Sequence, residues 1–181
     1  MKIVIATPLY PPDIAEPAPY VKELATRLEG MHAVTILTYG RLPEQIDGVH
    51  IIAVNKRLPL FFRLTRFMFA LHKLAAKAEV LFVENGLSTE LPALLVSFTS
   101  NARVVVHYGD RRASTHEKEH SFHQLIGTML RKRASAVIDD IPLSKPEIIP
   151  TQPRPIDAIK KYEDSWVKHI SLLKKNFSHE Q

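Results

Sequence analysis

Three short stretches of this chain carry residues that could do chemistry. The first, His116-Glu117-Lys118-Glu119-His120, has the spacing H-E-x-x-H. On a helix that spacing brings two imidazoles to one face, where they can hold zinc with the glutamate as base. A zinc helix of this kind is buried and apolar between its ligands, whereas Lys118 and Glu119 are charged. His123 is too close along the same helix to complete the site. The expectation is a solvated, charged helix start and no metal. The second stretch, His107-Tyr108-Gly109-Asp110, directly follows the apolar run Val104-Val105-Val106. Its side chains should emerge at the C-terminal edge of a sheet, where open α/β sheets bind ligands. Asn85 ends a neighbouring apolar run and should join them. Asn85, His107, Gly109 and Asp110 are therefore ligand-binding candidates; the competing reading is a tight turn at Gly109 with Asp110 capping the next segment. The third stretch is the loop 11–19, which follows Ile3-Val4-Ile5-Ala6. Backbone N–H groups at a helix start attract anions, which makes Ala15 and Glu16 candidates as well. Glu16 adds negative charge, however, and Pro17 and Pro19 lack N–H donors, so a rigid helix-entry loop is favoured over phosphate binding.

A fourth region offers a surface rather than a reaction. No acidic residue lies within 49–77, and Arg63, Arg66, Lys73 and Lys77 fall along one helical stripe. Beside them are Leu60, Phe61, Phe62, Leu64, Phe67, Met68, Phe69 and Leu71. A basic amphipathic helix rich in Phe suits an anionic membrane surface or a protein partner. The competing reading, a core helix with snorkelling cations, accounts for about half of its apolar residues.

Positioning these groups requires alternating strands and helices. Strands are predicted at 2–7, 33–38, 49–54, 79–83, 103–107 and 135–139. Helices are predicted at about 17–29, 59–78, 89–99 and 117–132. Gly30 should stop the first helix, and Ser88 or Thr89 should cap the third. Strands separated by helix-length segments imply βαβ units and an α/β fold, a Rossmann-like three-layer sandwich with a mostly parallel sheet. Only a loop at about 40–48 joins the second strand to the third. A chain of 181 residues with 45% hydrophobic and 24% charged residues suits one domain with a substantial core. The absence of cysteine excludes disulfides, thiolate metal sites and a cysteine nucleophile, and is compatible with a reducing cytoplasm. A net charge of +5 favours anionic partners. No helix-turn-helix or RNA-binding aromatic pattern accompanies it, so nucleic acid is not expected. The first residues read as a strand rather than an export signal, and no apolar run is long enough to span a bilayer.

The segment Lys2-Ile3-Val4-Ile5-Ala6-Thr7-Pro8-Leu9-Tyr10-Pro11-Pro12-Asp13-Ile14 resembles the start of a family 4 glycosyltransferase of the GT-B fold. Val21-Lys22-Glu23-Leu24-Ala25, His32-Ala33-Val34-Thr35-Ile36-Leu37-Thr38, Glu79-Val80-Leu81-Phe82-Val83 and His107-Tyr108-Gly109-Asp110 fit the same template in order. The resemblance covers roughly the first 140 residues, one domain's length. It implies an acceptor-side domain for sugar transfer from a nucleotide sugar to a lipid-linked or glycan acceptor. In that family two glycines commonly stand where this chain has Ala15-Glu16, and a polar residue near His107 approaches the sugar or acceptor.

The chain reads as three segments: a domain at 1–141, a connector at 142–155 containing five prolines, and an amphipathic helix at 156–178, which the resemblance implies crosses back onto the domain. Ile156, Ile159, Tyr162, Trp166, Ile170, Leu173 and Phe177 recur at three and four along that helix. A short edge strand is expected at 147–149. Nothing corresponds to the family's second domain, with its Glu-x7-Glu motif for the nucleotide diphosphate. The isolated chain is therefore expected to be inactive, with no cofactor of its own and a nucleotide sugar as donor. Its expected partners are a separate nucleotide-binding subunit and the inner face of a membrane; a non-catalytic binding module is the alternative.

Overall fold

The computed structural model describes residues 1–15, 17–109, 114, 115, 117, 120–143 and 156–177, with Ile156 described by its backbone alone. The chain divides into two compact units, Met1–Ile138 and Asp139–Gln181. In the first, β1 (Lys2–Ala6), α1 (Ala18–Glu29), β2 (Ala33–Tyr39), β3 (His50–Val54), α2 (Leu60–Ala75) and β4 (Val80–Glu84) occur in that order. They are followed by α3 (Leu87–Val96), β5 (Arg103–His107), α4 (Ser121–Arg133) and β6 (Ala136–Ile138). The six strands form one all-parallel sheet in the order β3-β2-β1-β4-β5-β6. The fold is an α/β Rossmann-like three-layer sandwich.

The central strands are continuous apolar runs because both their faces are covered. Val4, Ala6, Leu81, Val83, Val104 and Val106 join Phe67 and Leu71 of α2, Ala93 and Leu94 of α3, and Ile126 and Leu130 of α4 in one buried cluster. The alternate residues Ile3, Ile5, Phe82 and Val105 are equally buried on the opposite face. There α1 supplies Val21, Leu24, Ala25 and Leu28, at helical spacing. The register aligns Ile3 with Val80 and Glu84 with His107, so the ends of β4 and β5 sit side by side. The strand order reverses between β1 and β4, and the C-terminal ends of strands at such a switch point are where open α/β sheets take ligands.

Six strands and four helices fall close to their predicted positions, and β2 joins β3 through residues 40–49 with no helix between. Three local expectations change. Gly30 does follow α1, but it stays right-handed at φ −68° rather than adopting the left-handed cap, and the N–H groups of Met31 and His32 both bond the Leu28 carbonyl. Neither Ser88 nor Thr89 caps α3; Gly86 does, and the buried Thr89 hydroxyl instead donates to the carbonyls of Glu84 and Gly86. α4 starts at Ser121 rather than 117, because His120 is extended at φ −120°.

α3 also contains Pro92, which has no N–H to give the Ser88 carbonyl one turn earlier. The Tyr39 hydroxyl takes over, donating to that carbonyl at 2.8 Å. The Tyr39 ring is stacked on Phe67 at 4.4 Å, and the Arg63 guanidinium lies 5.4 Å from its centroid. Burial pushes the Tyr39 phenol well above its ordinary value, so it remains a neutral donor.

The second unit is built on α5 (Ile156–Phe177), where Tyr162, Trp166, His169, Leu173 and Phe177 recur along one face. The Trp166 ring meets Tyr162 and His169 edge-on, at 6.4 and 5.8 Å. His169 Nδ1 pairs with Asp140 at 3.0 Å, and Ser165 Oγ accepts the Leu143 N–H at 3.1 Å. Most of the connector and the strand expected at 147–149 lie outside the described residues.

Candidate functional site

The loops that follow β1, β4 and β5 gather at the C-terminal end of the sheet. After β1 the chain is fixed by short-range bonds: Thr7 Oγ1 donates to the Leu9 carbonyl at 2.8 Å, and the Asp13 N–H to the Tyr10 carbonyl at 3.2 Å. An Asp13–Lys56 ion pair ties this loop to the segment before α2. Tyr10 is buried, and burial together with the nearby Glu44 pushes its phenol up to about 12. Pro8 lies in van der Waals contact with the Cβ direction of Gly86, so the first and fourth loops meet. Ala15 is exposed in a bend, where its carbonyl accepts the Ala18 N–H at 2.9 Å. Glu16 lies outside the described residues.

Two acid–histidine pairs occupy this end of the sheet. On the α1 face, His107 Nδ1 lies 2.9 Å from Glu84 Oε1, with both side chains fully buried. The imidazole is sandwiched: Tyr20 of α1 stacks on it at 4.5 Å, and Phe82 approaches at 5.7 Å. Gly109 then crosses directly over the pair. A Cβ there would stand 2.6 Å from His107 Cε1 and 3.3 Å from Glu84 Oε2, so only glycine fits. Asn85 is also buried; its N–H bonds the His107 carbonyl, and its side-chain amide donates to Ser114 Oγ at 3.1 Å. Asn85, His107 and Gly109 thus come together as the sequence suggested, but as a buried cluster. Asp110 lies outside the described residues.

On the other face, His123 Nε2 of α4 lies 2.6 Å from Glu90 Oε2 of α3, with Glu90 fully buried. The Tyr108 hydroxyl donates to Glu90 Oε1 at 3.3 Å and accepts from Arg131 Nη1 at 2.5 Å. Arg131 also bridges to Glu117 at 2.8 Å. Gly127 makes room for that carboxylate, since a Cβ at this position would stand 2.5 Å from Glu117 Oε1. Burial pushes the Glu90 carboxyl above its ordinary value; His123 pulls it back and Glu117 pushes it up again. Burial, with the nearby Glu90 and Glu117, likewise holds the Tyr108 phenol far above its ordinary value.

The sequence had singled out His107 but not Glu84, Glu90 or Arg131, and had weighed His123 only as a metal ligand. A visible signal existed for two of them: Glu84 is the only charge in β4, and Glu90 the only one in α3. A lone charge within a run that must be buried requires a partner.

Of the H-E-x-x-H stretch only Glu117 and His120 are described. His120 is extended ahead of α4, whereas Glu117 is helical and engaged with Arg131, and His116, Lys118 and Glu119 lie outside the described residues. Among the described residues no group of three His, Cys, Asp or Glu side chains could hold a metal.

The basic stripe on α2 is split. Arg66, Lys73 and Lys77 are exposed, but Arg63 is half-buried, turned over Tyr39 and donating to the Lys56 carbonyl at 3.3 Å. The face holding Phe67, Leu71 and Ala75 is buried, whereas Leu60, Phe61, Phe62 and Phe69 are 60–72% exposed. Among the described residues no helix is long and apolar enough to cross a membrane. No protein-family model and no curated protein matches this sequence.

Proposed function

We propose that this chain is the acceptor-side half of a glycosyltransferase-like enzyme. It would act in sugar transfer from a nucleotide sugar to a lipid-linked or glycan acceptor, together with a separate nucleotide-binding chain. The observation that carries the reading is the strand-order reversal between β1 and β4, which gathers Pro8, Gly86 and the segments around His107 and Asn85 at one end of the sheet. That is where open parallel sheets receive ligands. The resemblance of residues 2–14 and 104–110 to family 4 glycosyltransferases supports the same reading.

Transfer needs positive charge or N–H donors at the departing diphosphate. The loop before α1 and the first turn of that helix are poor in both: Pro17 and Pro19 have no N–H, and no Lys or Arg lies within residues 7–19. The 181 residues also contain no Glu-x7-Glu pair. In this reading the partner chain supplies the nucleotide site, and these residues shape the acceptor side. A second reading, a non-catalytic binding module, is favoured by one observation: His107 and Glu84 are wholly enclosed.

Affinity capture from the native cell distinguishes the two. The transferase reading expects a stoichiometric second Rossmann-like chain bearing Glu-x7-Glu. It also expects the reconstituted pair, unlike either chain alone, to bind a nucleotide sugar by calorimetry. Recovery of no such chain, with no nucleotide-sugar binding, favours the module.

A further inference from the structure

We infer that the outer face of α2 docks onto an anionic lipid surface, with Phe61, Phe62 and Phe69 entering the interfacial zone while Arg66, Lys73 and Lys77 meet the headgroups. The inference does not rest on the transferase reading, since it concerns a face built by α2 alone. Phe62, Arg66, Phe69 and Lys73 follow one another at four, three and four residues, and Lys77 continues the line just beyond the helix. That line lies opposite Phe67, Leu71 and Ala75, which are essentially inaccessible. The core has therefore taken its share of the apolar residues, and the remainder face solvent. Leu60, Phe61, Phe62 and Phe69 are 61, 72, 60 and 68% exposed. With large side chains of about 200 Å² each, roughly 500 Å² of apolar surface is left in water, at the upper end for a lone domain.

Charge complementarity decides the occupant. Three exposed cations share the line with the aromatic side chains, and no acidic residue occurs anywhere in 49–77. An ordinary protein-interface core is depleted of lysine. A helix lying in a membrane interface combines these residues instead, with large aromatic side chains beside Lys and Arg. Each cation near an anionic surface strengthens binding by about fivefold.

The test is flotation with vesicles of phosphatidylcholine alone and of phosphatidylcholine with about one-third phosphatidylglycerol. The full chain should float with the anionic vesicles only and be released at about 0.5 M salt, where the screening length falls to a few Å. R66Q/K73Q/K77Q should lose about a hundredfold in partitioning. F61S/F62S/F69S should lose at least as much despite its unchanged charge. Every substituted side chain is exposed, so both variants should keep the parent melting temperature. If the aromatic triple variant melts early, the single change Phe69→Glu, against the parent, reads the same contact. A parent chain that floats with neither vesicle overturns the inference and leaves the face to a protein partner. Flotation that is equal on neutral vesicles, or unaffected by loss of the phenylalanines, overturns it as well.

Discussion

Removing the Tyr39 hydroxyl gives a sharp test of how α3 tolerates its internal proline. Tyr39→Phe keeps the ring stacked on Phe67 and beneath Arg63, so the ring packing is unchanged and only the 2.8 Å bond to the Ser88 carbonyl is lost. Because Pro92 cannot offer an N–H, that carbonyl loses its tyrosine donor in a water-poor setting, which costs about 1–3 kcal/mol. Pro92→Ala restores a helical N–H to the same carbonyl. In that background Tyr39→Phe should cost only about 0.5–1 kcal/mol, leaving a coupling of about 0.5–2 kcal/mol between the two positions. Urea unfolding of the four proteins of the cycle measures this, and the small cavity left by the truncated Pro92 cancels from the difference. If Tyr39→Phe costs the same in both backgrounds to within about 0.3 kcal/mol, the hydroxyl is not replacing the proline's missing bond and the reasoning fails.

Two further changes probe the buried acid–histidine pairs. Gly109→Ala forces a methyl into the space 2.6 Å from the His107 ring and should destabilise by about 2–3 kcal/mol; a melting temperature equal to the parent's would mean that the loop lifts away freely. Glu90→Gln tests the raised carboxyl. A group whose pKa is higher folded than unfolded contributes stability that is full below its ordinary value of 4.5 and is lost as pH rises through the folded value. The parent should therefore lose stability relative to Glu90→Gln as pH climbs from 4.5, and denaturant midpoints that stay parallel across that window would contradict the assignment.

The sheet was legible because its strands are short apolar runs bounded by Pro, Gly and polar residues, so type and position follow from burial on two faces. Helix ends were less legible. His120 looks helical by charge pattern, yet it is extended, because α4 is set by His123, Ile126 and Leu130 facing the core rather than by the charged residues ahead of it. The site was half legible. His107 and Asn85 stand out as polar residues at strand ends, but which side chains meet them depends on a register that aligns residues 23 apart, and one sequence does not encode register openly. Arg63 illustrates the same limit. Its spacing puts it with the other cations of α2, but an aromatic ring brought in by β2 draws it aside.

The pairing of β1 with β4 has a consequence for how the chain is made. Ile3 finds its partner Val80 only after 77 further residues have been synthesised, which takes about 4–15 s at ordinary ribosomal speeds. During that interval the nascent segment can close β1 against β2 locally, while the other side of Ile3-Val4-Ile5-Ala6 offers open backbone bonds and bare aliphatic groups. β4 therefore acts as the plug that ends this period of vulnerability to self-association at the edge of β1.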